Sequence, residues 1–451
     1  MQEFTVEEAR AACGGEYLSE GAGLISGVAI DSRRVARGTL FAAIKGERSD
    51  GRDYIDKAFE AGAVCALSEG RGSALGVVIG TDNTVRALGE IAKAYKMKYN
   101  VPTVGVTGSV GKTTTKDMIS AVLAKKCPTL KTEGNFNNEL GLPLTVFGLE
   151  KHHGAAVLEM GMSARGEIHC LADIARPDVA VISNVGMSHI ENLGSREEIL
   201  RAKMEITDFF GSENLLIINA DNDMLRTVDK NAPYRILTYA IENDADYRAE
   251  NIRDYSFGGS EFTANTPSGS FRVRLKTPGL HNVLNALSAI AVGQEFGVSS
   301  GDIAAAIEEY EPTAMRMEVE NAGGITLICD CYNASPDSIA ASLAVLAGAQ
   351  GRRVAFLGDV LELGEFSEKA HRSIGEMCAN KADLVVCAGE NARYIAESAH
   401  AAGCRCEYFE TTDEAAENAC ALVTDGDTVL VKASRGMHFE KICDALRERS
   451  K

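Results

Sequence analysis

The sequence has no uninterrupted run of 18 apolar residues, and its 12 cysteines form no paired Cys-x-x-Cys motifs. The first absence excludes a membrane-spanning helix. The second gives no sign of a zinc site or a disulfide framework, so we expect reduced thiols in the protein cores. Residues 1–20 carry acids where a secretory signal carries basic residues and an apolar stretch, so we expect a cytoplasmic chain.

Basic residues are outnumbered, with 46 Lys and Arg against 64 Asp and Glu, so the formal net charge is -18. A field of that sign repels phosphates and disfavours nonspecific binding to nucleic acid or anionic lipid. Any phosphate ligand therefore needs a local site. The 45% hydrophobic content excludes a disordered chain, and 451 residues predict two or three domains.

Three stretches with different patterns predict an α/β protein of three domains. Residues 1–100 mix short β-like runs with a helix and predict a small α/β domain. Residues 101–312 carry near-continuous apolar strands separated by helices, which predicts a parallel sheet covered on both faces. Residues 313–451 repeat this alternation and predict a Rossmann-like domain, although no Gly-x-Gly-x-x-Gly fingerprint indicates a dinucleotide.

The segment GVTGSVGKTTT, at residues 105–115, lies between a predicted strand and a predicted helix. Gly108 and Gly111 let backbone amides converge on an anion, Lys112 adds a charge near the terminal phosphates, and the Thr113 hydroxyl is a Mg²⁺ ligand. Val106 stands where the usual motif has its first glycine. A chance Gly-Lys-Thr sequence is the alternative.

Two further side chains follow predicted strands of the same domain. Glu159 ends one apolar strand, and His189 follows another after a short turn. Ligands of doubly wound sheets bind at the carboxyl ends of strands, so we expect both side chains to reach the phosphates. Both are candidate Mg²⁺ ligands, although imidazole is an unusual one and a structural histidine is the alternative.

Together with residues 132–145, 184–189 and 279–285, these motifs resemble the Mur ligase family, ATP-dependent enzymes that add amino acids to the peptidoglycan precursor. The resemblance covers nearly the whole chain. The family's shorter loop, Thr-Gly-x-x-Gly-Lys-[Ser/Thr], accounts for Val106. The resemblance implies a UDP-substrate domain at 1–100, an ATP-binding domain at 101–312 and an amine-substrate domain at 313–451.

Residues 330–338, 357–364 and 431–437 resemble the family branch that joins D-alanyl-D-alanine to UDP-N-acetylmuramoyl-tripeptide through an acyl phosphate. The implied cofactors are ATP and two Mg²⁺ ions, and the implied state is a monomer. The DNPR-like stretch of the diamino-acid ligase is absent. Another ligase of this family, a folylpolyglutamate-type ligase and a P-loop ATPase without ligase chemistry remain alternatives.

The resemblance also implies the residues of the site. The catalytic set is Lys112, Glu159, His189, Lys203 and Arg316, of which Glu159, His189 and Lys203 join Thr113 as metal ligands. The implied nucleotide-binding residues are Thr107, Gly108, Ser109, Gly111, Lys112, Thr113, Thr114, Asn282, Asn285, Arg316 and Asp330. The implied substrate-binding residues are Ser32, Arg33, Lys45, Asp50, Asn135, Asn137, Asn138, Asn333, Lys432, Ser434 and Arg435.

Lys203 and Ala433 carry open questions. Lys203 matches a lysine that many family members carry as a carbamate, which suits a site crowded with Mg²⁺. From sequence alone, a solvated lysine on the charged helix at 196–205 is favoured. Ala433 stands where the family usually has a glycine, so the backbone conformation at the predicted dipeptide site is an open question. Because Arg316 and Asp330 belong to a different domain from the loop, catalysis is expected to require domain closure.

Overall fold

The computed structural model describes residues 1–47 and 49–449. Its N-terminal part holds a five-stranded sheet in the order β2-β7-β6-β5-β4, in which only β2 is antiparallel, and a short antiparallel pair, β1 with β3. The elements are β1 (Phe4–Thr5), α1 (Val6–Cys13), β2 (Glu16–Ser19), β3 (Leu24–Ile25), β4 (Gly27–Ala29), β5 (Thr39–Ala42), α2 (Ile55–Glu60), β6 (Cys65–Ser68), β7 (Val77–Gly80) and α3 (Thr84–Tyr99).

The central part holds a nine-stranded sheet in the order β16-β15-β14-β13-β12-β11-β8-β10-β9. Its elements are β8 (Thr103–Thr107), α4 (Lys112–Ala124), β9 (Thr129–Lys131), α5 (Gly141–Val146), β10 (Ala155–Glu159), α6 (Glu167–Ala175), β11 (Val179–Ile182), α7 (Ile190–Leu193), α8 (Arg196–Met204), β12 (Leu215–Asn219), β13 (Arg235–Ala240), β14 (Tyr247–Asp254), β15 (Ser260–Thr266), β16 (Gly269–Leu275), α9 (Leu280–Glu295) and α10 (Ser300–Glu309).

The C-terminal part holds a six-stranded sheet in the order β17-β18-β22-β19-β20-β21, with only β17 antiparallel. Its elements are β17 (Glu318–Ala322), β18 (Ile325–Cys329), α11 (Pro336–Ala347), β19 (Arg353–Gly358), α12 (Ser367–Met377), β20 (Leu384–Ala388), α13 (Ala392–Ala401), β21 (Arg405–Phe409), α14 (Thr412–Leu422), β22 (Thr428–Lys432) and α15 (Glu440–Glu448).

The apolar strands of the central sheet are buried on both faces. Val179 and Val181 of β11 pack in a cluster with α4 and α9, whereas Ala180 and Ile182 belong to a second cluster across the sheet. Successive strand side chains point to opposite faces, so a strand buried on both faces is apolar throughout. The α/β class and the mainly parallel central and C-terminal sheets are therefore confirmed.

One edge of the central sheet differs from the prediction. The sequence analysis did not identify β14, β15 and β16, which form an antiparallel extension beyond β13. In β15 buried residues alternate with partly exposed ones. That alternation is typical of antiparallel strands with one solvated face, and it lacks the continuous apolar run that marked the other strands.

The expectation that all thiols are reduced is wrong for one pair. The structure joins Cys329, at the end of β18, to Cys443 on α15 in a disulfide. These cysteines are 114 residues apart in the sequence, so their spacing carried no signal. They meet because α15 packs against the C-terminal sheet. Across residues 1–47 and 49–449, no helix is long and apolar enough to cross a membrane.

Candidate active site

The predicted phosphate-binding loop leads from the carboxyl end of β8 to the first turn of α4. Gly111, at the N-cap of α4, has φ 81°, and a Cβ there would lie 2.9 Å from Asn285 Oδ1. At Gly108, with φ 152°, a Cβ would overlap the Ser183 hydroxyl. Both glycines are therefore required by backbone conformation and by space, whereas Val106 is fully buried in the sheet and takes no part in the turn.

The turn after β11 holds this loop in place. The Ser109 amide donates to the Asn184 carbonyl at 3.1 Å, and the Val110 amide donates to Asn184 Oδ1 at 2.8 Å. The Ser183 hydroxyl donates to the Val110 carbonyl at 2.6 Å, and the Gly186 amide donates to Ser109 Oγ at 2.9 Å. Five residues of two loops thus share one network. The sequence analysis assigned no role to Asn184 or Ser183 as single residues.

Lys112 and Thr113 begin α4 beside the Glu159 carboxylate. The Thr113 hydroxyl donates to Glu159 Oε2 at 2.9 Å, and the Asn137 amide donates to Oε1 at 2.9 Å. Lys112 Nζ donates to the Gly108 carbonyl at 2.9 Å. Burial lowers the pKa of Lys112, and the nearby Glu159 charge partly opposes that shift. Hydroxyl, carboxylate and ammonium groups therefore meet at the loop, as the strand-end argument predicts.

Lys203 lies inside α8 with only 1% of its surface exposed. The charge pattern of the helix predicted a solvated Lys203, and that prediction is therefore wrong. Its ammonium forms no ion pair or hydrogen bond with any described residue. Burial moves its pKa well below the usual value, and the positive charge of Lys112 adds to this shift. Lys203 is thus a desolvated amine close to the phosphate-binding loop.

His189 connects the central and C-terminal parts of the chain. Its Nδ1 atom lies 2.5 Å from Oε2 of Glu362, which follows β19. The contact with His189 lowers the pKa of the Glu362 carboxyl. His189 also has φ 64°, a left-handed conformation that is uncommon for a residue with a side chain. The sequence analysis included Glu362 in the motif at 357–364 but gave it no role, because only tertiary structure brings it to the turn after β11.

Asn282 and Asn285 lie in the first turns of α9, against α4. The Asn282 amide donates to the Pro278 carbonyl at 2.8 Å, and the Asn285 amide donates to Asn282 Oδ1 at 3.1 Å. Asn285 Oδ1 also accepts from the Thr115 hydroxyl at 3.1 Å. Both amides therefore help to tie α9 to the loop helix. Neighbouring His281 has its pKa lowered to about 4, mainly by burial.

Asp330 follows β18 directly, and Lys432 ends the adjacent strand β22. Lys432 Nζ donates to Asp330 Oδ2 at 2.6 Å and to the Asn333 carbonyl at 3.2 Å. The same Asp330 oxygen accepts from the Ser342 hydroxyl at 2.6 Å, and Oδ1 accepts from the Met317 amide at 3.1 Å. The sequence analysis assigned Asp330 to the nucleotide and Lys432 to the dipeptide, whereas the structure couples them in one buried network.

Two of the predicted arginines place their guanidinium groups over the ring of Tyr332. The Arg316 guanidinium carbon lies 4.1 Å from the centre of the Tyr332 ring, and that of Arg435 lies 5.9 Å from it. Arg316 Nε is buried without a hydrogen-bond partner among the described residues. The aromatic face thus holds the Arg316 guanidinium in place and leaves its N–H groups available to a ligand. Tyr332 belongs to the motif at residues 330–338, but its contact with the two arginines could be recognised only from the folded structure.

A cavity of about 550 Å³ collects most of these groups between the central and C-terminal parts. The predicted residues that line it are Ser109, Gly111, Lys112, Thr113, Thr114, Asn135, Asn137, Asn138, Glu159, His189, Asn282, Asn285, Arg316, Asp330, Asn333, Lys432 and Arg435. The predicted residues outside its lining are Thr107, Gly108, Lys203, Ser434, Ser32, Arg33, Lys45 and Asp50.

The four N-terminal candidates lie in turns away from this cavity. Ser32 and Arg33 form a short 3-10 turn capped by Asp31, which also pairs with the Arg33 guanidinium at 2.7 Å. That guanidinium lowers the pKa of Asp31 to about 2. Lys45 and Asp50 face each other in an isolated antiparallel bridge. These contacts by themselves fit ordinary turn chemistry.

Two further candidates have structural partners. Ser434 Oγ accepts from the Leu361 amide at 2.9 Å. Asn138 Oδ1 accepts from the Gly141 amide at 2.9 Å, at the start of α5. Ala433 replaces a glycine without a backbone penalty, since it has no positive φ. Its methyl group fits because Gly358 opposite has no side chain, and a Cβ on Gly358 would lie 2.7 Å away.

Comparison with known proteins supplies the context for this arrangement. The sequence matches the Mur ligase family, catalytic domain over residues 24–104, the Mur ligase middle domain over 106–293, and the Mur ligase, glutamate ligase domain over 315–435. It is 39% identical over 434 residues to the UDP-N-acetylmuramoyl-tripeptide--D-alanyl-D-alanine ligase of Bacillus subtilis, covering 94% of each chain. The chain belongs to the Mur ligase family.

Solved structures agree over the same length. The MurF crystal structure from Acinetobacter baumannii is 31% identical, with a TM-score of 0.93 over 99% of both chains. The MurF ligase of Thermotoga maritima, in complex with ADP, is 30% identical, with a TM-score of 0.84 over 94% of this chain and 97% of that one. The resemblance seen in the sequence motifs is therefore confirmed, together with the family's fold.

Proposed function

We propose that this chain is the ATP-dependent ligase that joins D-alanyl-D-alanine to the terminal carboxylate of UDP-N-acetylmuramoyl-tripeptide. The products are the pentapeptide precursor of peptidoglycan, ADP and phosphate. One observation carries the proposal: a phosphate-binding loop and the polar groups of the C-terminal part, including Arg316 and Lys432, face the same cavity. The activity named for the Bacillus subtilis relative supports this choice of substrates.

The reaction needs ATP because oxide is a poor leaving group from a carboxylate. An oxygen of the tripeptide carboxylate attacks the γ-phosphorus of ATP, and ADP leaves. The amine of D-alanyl-D-alanine then attacks the carbon of the acyl phosphate, loses a proton and expels phosphate. Little covalent chemistry falls to the protein, so its task is to position the reactants and to neutralise charge.

Lys112 and Arg316 are the positive groups for that task. Lys112 begins the loop helix, where backbone amides and the ammonium can hold terminal phosphates together. Arg316 is held on the Tyr332 ring and presents a fixed fork that suits two phosphate oxygens. We propose that Thr107, Gly108, Ser109, Gly111, Thr114, Asn282, Asn285 and Asp330 complete the nucleotide site.

Mg²⁺ fits the donors at the loop, and the family resemblance implies two ions. Thr113 and Glu159 offer hard oxygen donors that already lie within 2.9 Å of each other. His189 lines the same cavity and offers a nitrogen donor. Bound Mg²⁺ supplies charge neutralisation for phosphate oxygens. Asn137, which donates to the second Glu159 oxygen, would hold the carboxylate in position.

We propose that Lys203 carries a carbamate. A carbamate forms when a neutral amine attacks CO₂ and loses a proton, and the desolvated Lys203 amine favours its neutral form. The product is an anion, which would offset the positive charge of Lys112 and of a metal ion nearby. This modification would make Lys203 part of the metal site without requiring a buried ammonium.

The remaining roles follow the three parts of the chain. We propose that residues 1–100 bind the UDP moiety, residues 101–312 bind ATP and residues 313–451 bind the dipeptide. Ser32, Arg33, Lys45 and Asp50 would contact the UDP-sugar, and Asn135, Asn137 and Asn138 the sugar-peptide. Asn333, Lys432, Ser434 and Arg435 would form the dipeptide side. We further propose a cytoplasmic monomer that closes between its central and C-terminal parts during each cycle.

The test is release of phosphate from ATP by the purified chain supplied with UDP-N-acetylmuramoyl-tripeptide, with and without D-alanyl-D-alanine. We expect sustained release only when both substrates are present, together with the mass of the pentapeptide product. Lysine, diaminopimelate and glutamate serve as competing amines with the corresponding shorter acceptors. Product formation with one of these in place of D-alanyl-D-alanine would identify another ligase activity, and release without any acceptor would indicate a plain ATPase.

A further inference from the structure

Three cysteines from two distant segments meet inside the C-terminal part. Cys329 ends β18, Cys331 follows two residues later, and Cys443 lies on α15; all three are fully buried. Their sulfur atoms all lie within 4.8 Å of one another. We refer to Cys329, Cys331 and Cys443 as the trithiol cluster.

We propose that the trithiol cluster, when reduced, is a binding site for one thiophilic divalent cation of the Zn²⁺ or Cd²⁺ type. Thiolate sulfur is the preferred protein ligand of such ions. Zn–S bonds of about 2.3 Å at tetrahedral angles separate sulfurs by about 3.8 Å. The three sulfurs lie within 4.8 Å of one another, and the Cys329–Cys443 pair can take up that distance once its bond is reduced.

Backbone geometry explains why two of the ligands share a direction. In extended chain, residues two apart point to the same face, so Cys329 and Cys331 both face the apolar cluster beneath α15. Asp330, between them, points the opposite way and lines the cavity with Lys432. The trithiol cluster therefore lies directly behind the Asp330–Lys432 pair without belonging to the proposed ligase site.

Charge and protonation set conditions on binding. Three thiolates and one dication leave a net charge of about −1, which is costly to bury without a partner. The Arg447 guanidinium approaches Cys329 Sγ at 3.8 Å, although it also pairs with Glu320 at 2.7 Å and with Asp444 at 3.0 Å, so it offsets only part of this charge. Each thiol must lose its proton before its sulfur can hold the cation. Binding should therefore strengthen as the pH rises.

The disulfide and the metal compete for the same sulfurs. In this structure Cys329 and Cys443 are joined, which leaves Cys331 as a single thiol. A reducing compartment keeps thiols reduced, and the cluster then offers three ligands. Oxidised glutathione would oxidise the Cys329 and Cys443 thiolates to the Cys329–Cys443 disulfide and would itself be reduced to two glutathione thiolates, which take protons from water, and the cation would be released.

The test uses the full chain, reduced with a phosphine and freed of metal, in excess Mg²⁺ to fill oxygen sites. Titration with Cd²⁺ is followed by the ultraviolet absorption of cadmium–thiolate bonds. We expect one Cd²⁺ per chain, with release on addition of oxidised glutathione. The assay needs no ligase activity, so its outcome is separate from that of the proposed reaction.

Variants make the test specific. Cys331→Ser should weaken Cd²⁺ binding at least about 100-fold and still form the Cys329–Cys443 disulfide, whereas Cys443→Ser should lose both. Cys387→Ser, a fully buried cysteine in the same sheet, is the matched control and should bind as wild type. Thermal unfolding checks that each variant is folded. Unchanged binding in Cys331→Ser, loss in Cys387→Ser, or no binding by wild type would each overturn the site.

Discussion

Lys432 Nζ lies 2.6 Å from Asp330 Oδ2, at the ends of two neighbouring parallel strands, and both groups are largely buried. Such a pair is costly to break from one side, because the remaining charge stays buried without a partner. We expect Lys432→Ala to lower the free energy of unfolding by about 3 kcal/mol, measured by denaturant titration. Lys441→Ala, which removes a solvent-exposed pair with Asp413, should cost less than about 1 kcal/mol. Equal effects would refute the assigned importance of the buried pair.

Gly111→Ala tests the phosphate-binding loop. The substitution brings both a strained φ and a clash with the Asn285 side chain, so it should displace the amides that would face the phosphates. We expect ATP to bind at least about 10-fold more weakly by calorimetry, a loss of about 1.4 kcal/mol. Gly166→Ala has a similar φ of 86° but open space around it, and should leave ATP affinity unchanged. Normal affinity in Gly111→Ala would argue against nucleotide binding at this loop.

Lys203→Ala tests the carbamate. Loss of the anion should reduce turnover by about 100-fold or more, and added bicarbonate should affect wild type only. Labelled bicarbonate should give a carbamate carbon signal by NMR in wild type alone. Lys96→Ala is the matched control, since Lys96 is also buried, at 2% exposure, and its pKa is also lowered by burial. Full activity in Lys203→Ala would remove the carbamate from the mechanism.

Arg316→Ala tests closure of the C-terminal part onto the phosphates. Because Arg316 would act on the transferring phosphoryl group, turnover should fall about 100- to 1,000-fold while affinity for the UDP-substrate stays nearly intact. Arg316→Lys keeps the charge without the fork and should be intermediate. Arg272→Ala, at an exposed strand position, should leave both quantities unchanged. A wild-type rate in Arg316→Ala would contradict this role.

His281 predicts a pH dependence of stability. Its folded pKa is about 4, below the unfolded value of about 6.5, so the unfolded chain binds the proton first as the pH falls. Stability contributed by the neutral ring is therefore present above pH of about 6.5 and is lost between about 6.5 and 4, by up to about 3 kcal/mol. His281→Gln should flatten this part of the stability curve, whereas His400→Gln, at an exposed position, should not. Parallel curves for wild type and His281→Gln would contradict the assignment.

The strands and the loop could be read from the sequence because their signals are local. The apolar strands predicted within residues 101–312 include β11, and the helix predicted after the glycine-rich loop is α4. Continuous apolar runs and a glycine-rich turn act over a few residues, so they need no knowledge of the rest of the chain. The half-buried strand β15 was not predicted because it lacks a continuous apolar run.

The partners within the site could not be read in the same way. Glu362 contacts His189 because the central and C-terminal parts of the chain meet there. The Tyr332 ring contacts the Arg316 guanidinium because a loop folds onto the end of a strand. Burial of Lys203 likewise depends on the elements that pack around α8, whereas the charge pattern of the helix predicted an exposed lysine. Such contacts join residues that are far apart in sequence and leave no spacing to recognise.

The sequence by itself determined the α/β class, the glycine-rich turn before α4 and membership of the Mur ligase family, because periodicity and motifs are properties of short segments. Tertiary structure alone decided which charges are buried, which side chains share the cavity, and that Cys329, Cys331 and Cys443 converge. Desolvation and proximity depend on how the sheets and helices pack. Those two quantities set the chemistry of Lys203, of Asp330 with Lys432, and of the trithiol cluster.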